Sequence, residues 1–226
     1  MSRRKIANPL ALAVLACLWE RPMYPYEITS TLRERGKEES IRLNYGSLYA
    51  VIKALEKHGF IAATHSERAG NRPERIVYAI TDAGRQESNE WLRELLATPN
   101  KEYPDFEAGL SLIGLLPPCE ALALLTARLE RLDAELRDIA GKRADPGVAR
   151  LPELFMIELI YHEAMVRAER DFVRELIKKL QARTLGGFDW WERMHQLLAE
   201  GHSFAEVWSN VAAYFGEEVA DSVKPH

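Results

Sequence analysis

Hydrophobic residues recur at three- and four-residue spacing through most of the chain, and the pattern changes to strand-like runs between Phe60 and Ile80. Leu10, Val14, Leu15 and Leu18 form the first stripe, on a helix announced by Asn8-Pro9, an N-cap followed by proline at the first helical position. A second helix is predicted from near Pro25 through Tyr26, Ile28 and Leu32 toward Arg35. A third spans residues 44–58, opened by the capping residue Asn44 and closed by a cationic side chain and Gly59. On it Leu48, Ile52 and Leu55 share one face, with Val51 at the margin, so that face must be buried. Residues 60–65 and 75–80 read as strands, joined by a loop holding Arg68, Gly70, Asn71, Arg72 and Pro73. Three helices followed by a two-stranded hairpin make a winged helix-turn-helix.

Beyond the hairpin the periodicity is helical throughout. Thr81-Asp82 supplies a capping hydroxyl and an acid for a helix running through Trp91, Leu92, Leu95 and Leu96, which should lead from the winged helix into the rest of the chain. Pro99 and Pro104 bound a connector, after which Phe106, Leu110, Ile113 and Leu116 predict a buried helix stopping at Pro117-Pro118. Leu122, Leu125, Leu129, Leu132, Leu136 and Ile139 then form a heptad seam of nearly three repeats, short enough to pack inside its own chain. After a break at Asp145-Pro146-Gly147, a long helix from about residue 152 to 181 carries two apolar stripes. Leu154, Ile157, Tyr161, Met165, Ala168, Phe172, Leu176 and Leu180 make one; Phe155, Leu159, Val166, Val173 and Ile177 make the other. A helix apolar over more than half its circumference needs two partners. The expectation is that one stripe packs on the heptad helix and the other crosses a dimer interface. Past Gly186-Gly187, Asp189-Trp190-Trp191-Glu192 and Ser203-Phe204-Ala205-Glu206 have capping-box spacing, and Phe204, Val207, Trp208, Val211 and Phe215 form a last stripe. The fold expected is mainly α: a winged helix-turn-helix with a two-stranded β wing over 1–90, a coiled-coil-like all-α dimerisation domain over 91–185, and an aromatic-rich helical extension over 186–226.

Composition sharpens the division. Although the chain carries a net charge of −4, residues 1–90 hold 14 Lys and Arg against 11 Asp and Glu, so basic character is concentrated in the winged helix. The acidic remainder should face away from any polyanion. Cys17 and Cys119 fall in apolar helical patterns and read as core residues, with neither a disulfide framework nor a zinc site indicated. No signal peptide is read and no apolar run reaches the roughly 18 residues needed to span a bilayer, so a cytoplasmic location and no membrane partner are expected.

Candidate chemistry lies on the far side of the third helix. Gly46, Ala50 and Ala54 are small, Lys53 and Lys57 stand among them, and Ser47 and Tyr49 flank them. Small side chains admit a helix to a groove about 12 Å wide, while hydroxyls and ammonium groups offer donors to base edges and phosphates. Tyr45, Ser47, Tyr49, Ala50 and Lys53 are therefore the expected DNA-contacting residues of this helix, joined by Arg68, Asn71 and Arg72 of the wing loop. Taken alone, the helix is also compatible with an ordinary wet surface; the wing that follows it favours the DNA reading. Arg3, Arg4 and Lys5 form a basic arm that suits either a phosphate contact or a solubilising terminus.

Seven of the chain's 20 Phe, Trp and Tyr residues lie between Phe188 and Phe215, a density that requires docking. This tail either extends a dimer interface or encloses a pocket for an aromatic or amphipathic effector, with Trp190 and Trp191 as candidate lining residues. Enzymatic readings find no support. His162-Glu163 lacks the second histidine of a zinc-protease helix because Val166 stands there, and no phosphate-binding glycine loop or Ser-His-carboxylate set is present. No catalytic residues, cofactor or metal are expected.

Tyr26-Glu27-Ile28, Gly46-Ser47-Leu48-Tyr49, Leu55-Glu56-Lys57-His58-Gly59, Arg72-Pro73-Glu74-Arg75 and Tyr78-Ala79-Ile80-Thr81 together give the chain a resemblance to PadR-type transcriptional regulators. Pro25 stands where that family often has glycine, and Ala50 where it often has proline. The resemblance extends through the paired long helices, like the C-terminal dimerisation domain of the larger members, and ends near Leu185. It implies a homodimeric, ligand-responsive regulator, a repressor by analogy, binding a pseudo-palindromic double-stranded operator. It also implies an effector role for Trp91, since tryptophans on the helix after the wing line a drug-binding pore in smaller relatives; a core position is the reading favoured for Trp91 over that role. The competing readings are a winged-helix protein-interaction scaffold without DNA-binding activity and an effector-sequestering carrier.

Overall fold

The structure, a computed structural model, describes residues 6–38, 40–41, 45–67 and 75–216, the side chains of Tyr45 and residues 65–67 excepted. The chain divides into two compact units, Met1–Lys101 and Glu102–His226. The first unit thus runs past the boundary expected at 90, because the helix that follows the wing packs on the first helix of the same unit. Residues 186–226 fall with the second unit.

In the first unit the order is α1 (Pro9–Glu20), α2 (Pro25–Glu34), α3 (Tyr45–Lys57), β1 (Ile61–Glu67), β2 (Arg75–Ile80) and α4 (Asp82–Ala97). Local chemistry fixes most of these ends. Asn8 caps α1 by accepting from the Leu10 N–H at 3.0 Å, and Glu27 reaches back to the Tyr24 N–H at 3.2 Å to close the start of α2. Behind α3, Gly59 adopts φ +73 and the Phe60 N–H bonds the Leu55 carbonyl at 2.9 Å, a left-handed stop that glycine enters without a Cβ penalty. The stripes of α1, α2 and α3 converge: Leu10, Val14, Leu15, Leu18, Ile28, Leu48, Ile52 and Leu55 are all buried in one cluster with Ile61. Cys17 lies in this core as expected, and burial pushes its thiol pKa up to about 11, which makes it inert as a nucleophile.

β1 and β2 pair antiparallel from Ile61↔Ile80 out to Glu67↔Arg75, with a register shift between Ala63 and His65. The first strand therefore runs further out than expected. Met23, just ahead of α2, adds a one-residue bridge to Tyr78, with backbone bonds of 3.0 Å in both directions. Thr81 caps α4 by accepting from the Gly84 N–H at 3.1 Å and donates its own hydroxyl to the Gly59 carbonyl at 2.7 Å, so one side chain joins the ends of α3 and β2 to the start of α4.

The second unit contains α5 (Asp105–Ser111), α6 (Pro118–Ala144), α7 (Ile157–Gln181), α8 (Phe188–Ala199), α9 (Phe204–Ser209) and α10 (Val211–Phe215). Its axis is the α6–α7 hairpin. Leu125, Leu132 and Ile139, one heptad apart, are buried against Val166, Val173, Ile177 and Leu180, while Leu122, Leu129 and Leu136 are partly buried beside them. The heptad seam is thus satisfied inside the chain. Ion pairs flank it: Arg128 to Glu169 at 2.6 Å, and Glu163 held between Arg143 at 2.6 Å and Arg167. Hydrogen bonds from these two guanidiniums hold the Glu163 carboxyl below its ordinary pKa.

Three local features depart from the sequence pattern. The buried helix expected over 106–116 is short. It ends at Ser111, continues as a 3-10 turn over Ile113–Leu115, and buries none of its residues fully, since glycines at 109 and 114 weaken a helix there. Cys119, expected in a core, is exposed at the start of α6. Asp189 is not the N-cap of α8: Gly187, at φ +82, occupies that position and the helix begins at Phe188. Ser203 does cap α9 and accepts from the Glu206 N–H at 3.2 Å. The aromatic tail is docked, with Phe188 and Trp191 buried in the α6–α7 core and Val207 enclosed with Met194 and Leu197. Among the described residues no helix is long and apolar enough to cross a membrane.

Candidate nucleic-acid interface

The geometry of α3 follows from its two unlike faces. Leu48, Val51, Ile52 and Leu55 are buried, which anchors the helix along its length on α1 and α2. Gly46, Tyr49, Ala50, Lys53 and Lys57 are exposed, and Ser47 and Ala54 are half-buried at the edges. Tyr49 is 53% exposed, so its phenol projects from a helix whose other side cannot move without opening the core. The exposed ridge is low where Gly46 and Ala50 lie, so a flat or convex surface can approach the helix backbone closely there. The ammonium groups of Lys53 and Lys57 lie toward its C-terminal end. Under the helix, burial and the neighbouring Glu56 carboxylate raise the pKa of the Tyr78 phenol, which therefore stays neutral.

Of the residues expected to contact DNA, the structure brings Ser47, Tyr49, Ala50 and Lys53 onto the outer side of one helix. Tyr45 opens that helix, and its side chain is not among those described. Arg68, Asn71 and Arg72 lie outside the described residues, as do the basic arm and Asn44. The strands on either side of the loop are in place beside α3, since β1 packs on that helix.

The three tryptophans named for an effector do not share an environment. Trp91 is 4% exposed and belongs to the core of the first unit. Trp191 is equally enclosed in the second unit, where its indole donates to the Leu116 carbonyl at 2.8 Å. Trp190 differs. It is half-buried against Trp208 and Phe215, and its indole Nε1 is buried without a hydrogen-bond partner among the described residues.

Sequence reasoning passed over a second feature of the first unit, at the start of α2. The Arg75 guanidinium lies 4.8 Å from the centre of the Tyr24 ring, and Tyr24 and Tyr26 stack with centroids 6.5 Å apart and planes within 9°. Nothing local in the sequence signals this grouping, because Tyr24 and Arg75 meet only once β2 lies beside the start of α2.

Comparison with known proteins agrees with this geometry. Residues 14–90 match the family described as "Transcriptional regulator PadR-like family". The negative transcriptional regulator PadR of Bacillus subtilis (strain 168) is 29% identical over 133 residues, covering 58% of this chain and 71% of the relative. Among solved structures, Bacillus subtilis PadR in complex with operator DNA superposes with a TM-score of 0.62 at 23% identity, covering 76% of this chain and 99% of that one. The same regulator in complex with p-coumaric acid gives 0.60 at 23% identity, covering 76% of this chain and 98% of that one. A PadR-like transcriptional regulator from Bacillus cereus gives 0.53 at 20% identity over the same shares of the two chains. At these identities the structural likeness shows the fold.

Proposed function

From a chain that carries a transcriptional-regulator domain of the PadR-like family, we propose a homodimeric, ligand-responsive repressor that inserts α3 into the major groove of a pseudo-palindromic operator. One observation carries this reading: the side of α3 bearing Gly46, Ala50 and Lys53 is open while the opposite side is fully packed, so the helix is both bare and rigidly held. Lys53 and Tyr49 supply donors, Ser47 and Tyr45 flank the helix start, and Arg68, Asn71 and Arg72 extend the contact to the adjoining backbone or minor groove. A Bacillus subtilis relative bound to operator DNA is consistent with this use of the fold.

Support for the dimer comes from α7. Its buried stripe faces α6, whereas Ile157, Tyr161, Met165 and Phe172 on nearly the opposite side are exposed, with Ala168 between them. Shallow grooves of about 430 and 500 Å³ run along the two flanks of this ridge. A second copy of the ridge would fill them as ridges fill grooves. Two reading helices held about 34 Å apart would then meet successive major grooves. Met165→Glu should convert the dimer to monomer at micromolar concentration in sedimentation velocity without changing the circular dichroism spectrum, since the side chain is already wet. A variant that stays dimeric would place the interface elsewhere.

The effector is proposed to be a small aromatic acid or amphipathic molecule, the class to which p-coumaric acid, bound by the Bacillus subtilis relative, belongs. Trp190, whose indole N–H has no partner among the described residues, is the tryptophan of the three best suited to meet it. Such a ligand would act by favouring one spacing of the reading heads over another. Salt tests the DNA reading directly: affinity for a bound duplex should fall steeply between about 50 and 200 mM salt through release of phosphate counterions. Absence of duplex binding at low salt would favour a protein-binding scaffold instead.

A further inference from the structure

The wing of the first unit is a two-stranded hairpin, an element that is marginal unless the rest of the protein supports it. Close to the core the support is ample. Ile61 is fully enclosed, and Tyr78 is bonded on both its backbone groups to Met23. Further out the ladder is disturbed: the register shifts between Ala63 and His65, and the Thr64 hydroxyl turns to the Val77 carbonyl at 3.2 Å. A bulge of this kind bends and twists the strands beyond it. Pairing resumes beyond it out to Glu67↔Arg75, in a direction that a tie at this outer end would fix.

That tie is visible at Arg75, the outermost paired residue of β2. Its guanidinium is held 4.8 Å from the Tyr24 ring centre, and Tyr24 is backed by the parallel ring of Tyr26. Tyr24 cannot drift, because its N–H is taken by Glu27 at 3.2 Å and Met23 before it is pinned to Tyr78. Glu27 is in turn paired with Arg21 at 3.0 Å, which holds that carboxylate at the start of α2. A cation over an aromatic face prefers a central, stacked position, so the contact has direction as well as strength.

We infer that Tyr24 is a positioning residue for DNA reading: by holding Arg75 against the start of α2, it sets the angle at which the wing meets the duplex beside the α3 site. The inference rests on the DNA-binding reading above. It assigns to Tyr24 no contact with bases. Its effect is on the wing's share of the contact, and the share of α3 is left intact.

The test uses the full chain and a duplex recovered by selection with the wild-type protein. Affinity, its salt slope and the hydroxyl-radical footprint are measured for wild type, Tyr24→Phe, Tyr24→Leu and Arg75→Gln. Tyr24→Leu and Arg75→Gln should each weaken binding by about 3- to 10-fold, as expected for loss of a cation–aromatic tie. Both should lose protection at the outer edges of the footprint while keeping the central major-groove protection. Tyr24→Phe, which keeps the aromatic face, should restore the wild-type footprint; a merely structural role for the tyrosine would not separate edge from centre in this way. If Tyr24→Leu fails to fold, Arg75→Gln, at a half-buried position on the outer end of β2, carries the test alone. A complete footprint in Tyr24→Leu or Arg75→Gln overturns the inference and leaves the DNA reading standing. Wild-type protein that protects no duplex overturns both.

Discussion

Ala50→Glu lowers affinity for the cognate duplex by about 100-fold or more, the scale expected when a carboxylate is forced against phosphates in a close interface. Thermal unfolding should be unchanged, because position 50 is exposed and a glutamate in mid-helix is a good helix former. The effect is large because Ala50 and Gly46 form the low part of the α3 surface, where the duplex would come closest to the backbone. Lys53→Ala is a milder companion. It removes one ammonium group and should weaken binding while reducing the salt slope by about one counterion. Electrophoretic or fluorescence titration at two salt concentrations measures both. Equal affinity for Ala50→Glu and wild type would mean that the duplex, if bound, is bound by another surface.

Gly84→Ala destabilises the first unit by about 3 kcal/mol, the upper part of the range for overpacking a core. A Cβ added at Gly84 would lie 2.0 Å from the Phe60 carbonyl oxygen and 2.9 Å from the Ile80 side chain, both inside any tolerable contact. The backbone oxygen cannot step aside, since it accepts the Thr81 N–H at 3.0 Å, and Thr81 is the cap of α4. The start of α4 must therefore move off the hairpin base. Urea unfolding followed through Trp91, the buried tryptophan of α4, should report the loss as a lowered midpoint. An unchanged midpoint would show that the approach of α4 to Phe60 is looser than its geometry indicates.

These two positions also show how far the sequence can be read. Ala50 was legible. The face of α3 follows from the period of Leu48, Ile52 and Leu55, and knowing the buried side of a helix identifies its open side. The α6–α7 hairpin was legible for the same reason, although the heptad repeat alone left open whether its seam joined two chains or two helices of one. The two stripes of α7 divided into a packed and an exposed side with exceptions at both ends: Leu154 and Phe155 lie exposed in a 3-10 turn ahead of the helix, which begins at Ile157 and not near 152, and Leu176 and Leu180 went with the packed side, because an unbroken α-helix drifts relative to a heptad.

What escaped prediction depends on approach in space. Gly84 is an unremarked glycine in a helical first turn until the Phe60 carbonyl is brought against it. Tyr24 and Arg75 are far apart in sequence and carry no shared pattern. The start of α8 was misjudged by one capping residue because Asp189 has capping chemistry, whereas a glycine ahead of it could take the left-handed turn and allow Phe188 to dock. Cys119 looked apolar in sequence and is exposed because it falls off the buried stripe of α6 that Pro118, Ala121 and Leu125 begin.

The central claim, that the open face of α3 reads duplex edges in a two-headed protein, meets its most direct test in selection of bound duplexes from a random pool by the wild-type chain. The recovered sites should be inverted repeats whose half-sites are centred about 10 base pairs apart or a multiple of that spacing. A pool that remains random after repeated selection at low salt would contradict the claim.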